Sequence, residues 1–115
     1  MLVVVDTNVF IKAMHNDNWC REVFNREREG TIKFVMNDEI FGELNEVFVA
    51  HLIRFHSERM ARLLSRFLKV FWRADRIEHK TYTDFCIDRD DNKFIDCAID
   101  SKAKTRTKLS FIKSV

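Results

Sequence analysis

The chain has 115 residues, 46% of them hydrophobic and 33% charged, with a formal net charge of +2. That length admits one domain around a single core. No apolar run nears the roughly 20 residues of a membrane span and the start lacks the basic-then-apolar pattern of a secretory signal, so a cytoplasmic protein without a membrane partner is expected. Cys20, Cys86 and Cys97 lack C-x-x-C spacing and read as reduced thiols. Lys102, Lys104, Arg106, Lys108 and Lys113 are followed or flanked by no acid, which leaves the preceding body slightly acidic. Any nucleic-acid contact must then come from a local patch.

Leu2-Val3-Val4-Val5 is apolar without alternation, as in a strand covered on both faces inside a parallel sheet. It runs into Asp6-Thr7-Asn8. An acid there lies at the ligand end of an open α/β sheet, yet all three residues also cap helices well, and on this stretch alone capping is the simpler reading. A helix is predicted from Asn8 to about His15, with Val9, Phe10, Ala13 and Met14 inside. Asn16-Asp17-Asn18 breaks the chain and caps a second helix, Trp19 to Glu29, with Trp19, Val23 and Phe24 inside and Gly30 as its stop. Thr31 to Met36 is the second strand, with Ile32, Phe34 and Met36 on one face.

Asn37-Asp38 caps a helix from Glu39 to about Phe55, whose apolar stripe is Ile40, Phe41, Leu44, Val47, Phe48 and Leu52. At about 100° per residue Glu43 falls at the edge of that stripe, while Glu39 and Glu46 swing towards water. His56-Ser57 opens a helix to about Arg73, with Met60, Leu63, Leu64, Phe67, Leu68 and Phe71 inside. Its outer face carries Arg59, Arg62, Arg66, Lys69 and Arg73, either a solvated face or a surface for phosphates or a partner. Arg76-Ile77-Glu78 reads as a short third strand. The block from Cys86 to Asp100 then crowds Asp88, Asp90 and Asp91 into a turn before a helix whose predicted buried face is Phe94, Ile95, Ala98 and Ile99. One carboxylate suits a helix N-terminus. Three within four residues repel one another, so a positive partner is expected there.

Strands alternating with helices in this order point to a parallel sheet wrapped by helices, with the strand C-termini on one edge. Asp6, Glu43 and the Asp88/Asp91 cluster would meet at that edge. Oxygen ligands suit hard cations, Mg²⁺ or Mn²⁺. His15, His51, His56 and His79 are scattered without zinc-site spacing.

V-V-V-D-T-N-V, E-I-F-G-E-L-N-E-V and F-C-I-D-R-D-D-N-K-F-I-D-C-A resemble, in order and spacing over about residues 1–103, the signature blocks of the PIN domain. The branch most similar to them is that of the VapC-like ribonucleases, toxin components of toxin-antitoxin pairs. The resemblance implies a three-layer α/β/α sandwich with a central parallel sheet and metal-dependent cleavage of RNA. By position, Asp6, Glu43 and Asp91 take the roles of catalytic, metal-holding acids. Asn8 orients carboxylates, Thr7 supports them, and Asp88 and Asp96 are candidate helpers. Arg59, Arg62, Arg66, Lys69 and Arg73 are candidates to hold RNA. A homodimer and a cognate antitoxin are implied as partners.

One departure stands out. Members of this branch continue into a strand ending in Thr-Gly-Asp or Ser-Gly-Asp, which supplies a fourth acid, whereas here no acid follows Asp100. The atypical basic tail 104–115 offers Leu109, Phe111 and Ile112 for a last strand, so the final strands are expected to be altered or missing, as in a shortened or frame-shifted gene. The alternative function is therefore an impaired PIN remnant that binds antitoxin or RNA without cleaving. A receiver-like phospho-acceptor domain also gathers acids at strand ends, but the chain lacks its paired early acids and late lysine.

Overall fold

The computed structural model describes residues 1–86, 88–105 and 109–112. Arg106, Lys108 and Lys113 of the basic tail lie outside the described residues, as does Ile87. The chain runs β1 (Leu2–Val5), α1 (Thr7–Met14), α2 (Asn18–Arg28), β2 (Lys33–Met36), α3 (Asp38–Arg54), α4 (Glu58–Arg73), β3 (Asp75–Arg76), a short 3₁₀ turn (Arg89–Asp91), α5 (Asn92–Thr105) and β4 (Leu109–Ile112).

All strand pairings are parallel, in the order β3-β2-β1-β4. Leu2 pairs with Lys33 on one side and with Leu109 on the other, and the β4 register continues to Val5 opposite Ile112. β1 is thus an interior strand. All four of its residues are buried, as expected of an unbroken apolar run covered on both faces. Leu109–Ile112, the candidate for a last strand, does form one. β3 is shorter and one residue earlier than expected, although the Ile77 amide extends the pairing by donating to the Met36 carbonyl at 3.0 Å. With helices on its faces, the sheet is the expected PIN-like α/β/α sandwich.

Every full helix before α5 starts on a side-chain cap: Asp6 accepts from the Asn8 amide, Asp17 from Cys20, Asn37 from Ile40 and Ser57 from Met60. Such caps satisfy amides that the helix itself leaves open. After α2, Gly30 takes a φ of 85°, which a residue without Cβ adopts without strain. The core between helices and sheet is built on phenylalanines. Phe10 of α1 meets the rings of Phe24, Phe34, Phe48, Phe67 and Phe71 at centroid distances of 4.8–6.4 Å, which ties α1 to α2, β2, α3 and α4.

Several expected core positions face outward instead. Trp19 is exposed because Cys20, Val23 and Glu27 take the inner side of α2. Leu52 and Leu68 are exposed beyond the stripes that bury Leu44 and Phe48 in α3, and Leu64, Phe67 and Phe71 in α4. The largest difference is in α5. Ile99 is 40% exposed, Cys97 is 0% exposed, and Asp96, Asp100 and Ser101 are buried. The helix turns its acids inward because they hold the segment that leads into it. Asp100 accepts the amides of Lys80 and Thr81 and the Thr81 hydroxyl, and Asp96 accepts the Thr83 amide at 2.7 Å.

Candidate active site

The C-terminal end of β1 delivers Asp6, whose buried carboxylate caps α1 by accepting the Asn8 amide at 3.0 Å. Capping and facing the sheet edge are compatible, since the second carboxylate oxygen is not used by that bond. Asn8, expected to orient carboxylates with its amide side chain, contributes this backbone N–H. Thr7, the first residue of α1, donates its hydroxyl to Glu43 Oε2. Glu43 is half-buried at the edge of the α3 stripe, as its place in the sequence predicts. Its other oxygen lies 3.0 Å from the Lys93 ammonium, and Lys93 also donates to the Asp90 carbonyl.

A continuous bonded path therefore links the three expected acids' segments: Asp6 and Thr7 to Glu43, Glu43 to Lys93, and Lys93 to the turn containing Asp91. Lys93, whose side chain is 10% exposed, pairs with Glu43 and reaches the acidic turn through the Asp90 backbone carbonyl. A buried ammonium is tolerable only when paired and hydrogen-bonded. Asn37, fully buried, sets the height of this lysine. While its Oδ1 caps α3, its Nδ2 donates to the Lys93 carbonyl at 3.1 Å, fastening the end of β2 to the start of α5.

Asp91 is half-buried and closes the 3₁₀ turn, where its amide donates to the Asp88 carbonyl. Asp88 is exposed and caps that turn through the Asp90 amide at 3.0 Å. Asp96, a candidate helper, is engaged elsewhere, against His79 and Thr83. His79 Nε2 lies 2.8 Å from Asp96 Oδ2, Nδ1 stands 2.8 Å from Glu39 Oε1, and the ring stacks on Tyr82 at 4.0 Å. Sequence reasoning missed Lys93 and this histidine clamp. Lys93 stands inside the quoted D-D-N-K-F block, and a lysine three residues after an acid in a helix start was the available signal. Nothing local marks His79.

The donor set expected from the sequence is all oxygen: the carboxylates of Asp6, Glu43 and Asp91, with the Thr7 hydroxyl on Glu43. It fits a hard divalent cation by donor type, and Mg²⁺ commonly uses only one or two carboxylates with water and phosphate making up the rest. Among the described residues no three His, Cys, Asp or Glu side chains already stand as a ready metal cluster. Cysteine adds nothing to the set, because burial pushes the Cys97 thiol up to about 12 and the Cys20 thiol up to about 11, leaving both protonated.

The histidine clamp makes a pH prediction. Burial alone would lower the His79 pKa, but its bonds to Asp96 and Glu39 and their charges outweigh that, and the pKa is raised above 6.5. Its stabilising contribution is then full below the unfolded value and is lost as pH rises through the folded one. The melting temperature is expected to fall across the neutral range in the parent protein relative to His79→Gln, which should lack that slope; parallel melting curves from pH 5 to 9 check it.

Of the basic stripe, Arg62 pairs with Glu58 at 3.3 Å within α4. Arg59 lies beside Phe55 and Met60 at one end of the helix. Arg66, Lys69 and Arg73 line a cavity between α4 and α2, and Arg73 forms a two-pronged pair with buried Glu27 at 2.8 Å for each bond. No described helix is long and apolar enough to cross a membrane.

Comparison with known proteins finds no similar curated protein and no similar solved structure. The family model for the PIN domain, however, matches residues 2–105. That span takes in β1 with Asp6, the α3 segment with Glu43 and the acidic turn with Lys93, and the chain belongs to the PIN domain family.

Proposed function

We propose that this chain is a metal-dependent endoribonuclease, within a family whose members are generally nucleases and typically depend on divalent metal. The observation that carries the reading is the bonded path from Asp6 and Thr7 through Glu43 and Lys93 to the turn of Asp91. Asp6, Glu43 and Asp91 would hold Mg²⁺ or Mn²⁺, with Asp88 as an outer acid. A divalent ion bound there supplies a water of lowered pKa and offsets charge on a scissile phosphate.

The chain's own residues set the stage for that chemistry. The Thr7 hydroxyl fixes one Glu43 oxygen, so the carboxylate presents a defined edge. Lys93 holds the other through its ion pair. No covalent intermediate is required, since a water activated by the ion would be the nucleophile. The test is cleavage of single-stranded RNA: added Mn²⁺ is expected to switch it on and chelation to switch it off, and cleavage indifferent to both would refute the reading.

The resemblance of the three blocks to toxin components supports an extension. The chain would act as a toxin, with a second copy and an antitoxin as partners. Expression of the chain alone is expected to arrest growth, and expression of Asp6→Asn is not; equal growth of both strains rejects the extension.

A second reading, a PIN domain that binds without cleaving, is favoured by the Lys93 ion pair, which already satisfies Glu43. Thermal melting separates the two. A ligand bound only by the folded state stabilises it, so about millimolar Mn²⁺ should raise the melting temperature of a nuclease and leave that of a binding remnant unchanged.

A further inference from the structure

Among the described residues, a cluster of basic side chains lies on α2 and α4, outside the acidic turn. α2 and α4 enclose an open cavity of about 480 Å³. Arg21 and Arg28 line it from α2, and Arg66, Lys69 and Arg73 from α4. The α4 cations are spaced at i, i+3 and i+7, so they span about 10 Å along the helix axis, and Arg21 and Arg28 span about the same. With Arg73 paired to Glu27, α2 offers Arg21 and Arg28 and α4 offers Arg66 and Lys69, four cations spread over both walls, which suits a polymer of repeated charge better than a single anion.

The acids nearby do not cancel this field. Glu27 is neutralised by Arg73, and Glu22 pairs with Arg26 at 3.5 Å outside the cavity. Among the described residues, Arg21, Arg28, Arg66 and Lys69 form no ion pair, and all four are exposed. Arginine, with its planar fork of donors, matches phosphate oxygens two at a time. Phe24 and Phe67, with ring centroids 4.9 Å apart, form part of the floor. A positively charged groove that tracks the backbone is one part of how proteins hold single-stranded nucleic acid.

The groove also has a structural link to the candidate site. Ala13 near the end of α1 lines it, and Thr7 opens the same helix at the acidic edge, about 9 Å away along the axis.

We infer that the groove between α2 and α4 is a binding site for the phosphate backbone of single-stranded RNA, gripping substrate beyond the acids. The inference rests on the ribonuclease reading for its choice of RNA. It is tested by fluorescence anisotropy with a labelled single-stranded RNA of about twelve nucleotides, in chelator, so that no cleavage is involved. Arg21→Gln/Arg28→Gln/Arg66→Gln is expected to raise Kd at least about tenfold near 0.1 M salt and to flatten the log–log salt slope by about 2, from three lost phosphate contacts. Arg66→Gln alone, at an exposed position, should give a smaller shift of the same sign and guards against misfolding of the triple variant.

Kd within twofold of the parent in both variants would overturn the inference. So would tighter binding of a polyglutamate peptide than of RNA, lost in the same variants, which would assign the groove to an acidic protein segment. Groove-dependent binding without Mn²⁺-dependent cleavage fails the nuclease reading alone. Cleavage by a protein whose RNA affinity ignores the groove fails this inference alone.

Discussion

Asp6→Asn is expected to cut Mn²⁺-dependent RNA cleavage by about a hundredfold or more while leaving the melting temperature within about two degrees of the parent. The two halves of that expectation come from the two roles of one carboxylate. As a cap, Asp6 accepts the Asn8 amide, and asparagine caps a helix about as well as aspartate. As a metal-holding acid it supplies a negative charge that asparagine lacks, and several kcal/mol of charge stabilisation correspond to two or more powers of ten in rate. Asp6→Ala should add a loss of about 1 kcal/mol from the missing cap. Cleavage and melting measured on the same preparations decide the matter: undiminished cleavage by Asp6→Asn removes Asp6 from the reaction, and a large drop in melting temperature means the cap reading was too simple.

Phe10→Ala is expected to be the most damaging single change to stability, at about 3–5 kcal/mol. Phe10 is 1% exposed and stands among five other phenylalanine rings drawn from α2, β2, α3 and α4. Truncation removes both its own burial and the edge-to-face contacts of each neighbour, and leaves a cavity that four helices and a sheet cannot close together. Against a typical total of about 5–15 kcal/mol, little would remain. Urea unfolding of parent and variant measures the difference, and a loss below about 1 kcal/mol would show that the ring cluster is not what joins the helices to the sheet.

Most of the architecture was legible because the signals are local. The unbroken valines of β1, the caps at Asp6, Asp17, Asn37 and Ser57, and the stripes of α3 and α4 are each contained within a few residues. The same locality placed Glu43 at the edge of its helix face. What could not be read depends on partners distant in sequence. Of the predicted apolar face of α5, Phe94 is buried and Ala98 packs against the core, but Ile99 is exposed, because Asp96 and Asp100 turn inward to bond residues 79–83. Asn37 looked like a cap and is one, but its second bond, to the Lys93 carbonyl 56 positions on, carries no local trace. Lys93 was in plain view within the acidic block; its ion pair with Glu43 appears only when α3 and α5 are brought together. No acid follows Asp100 in the sequence.

The strand order gives Asp6 one more significance. From β1 the chain progresses outward to β2 and then β3, but β4 returns to the opposite flank of β1. Right-handed crossovers in opposite directions send their helices to opposite faces, so this order puts the reversal of winding beside β1, whose C-terminal end is Val5. Such a reversal in winding is where open α/β sheets make room for a ligand. That place is set by connectivity before any side chain is chosen, and Asp6 is the first residue the chain puts there after β1.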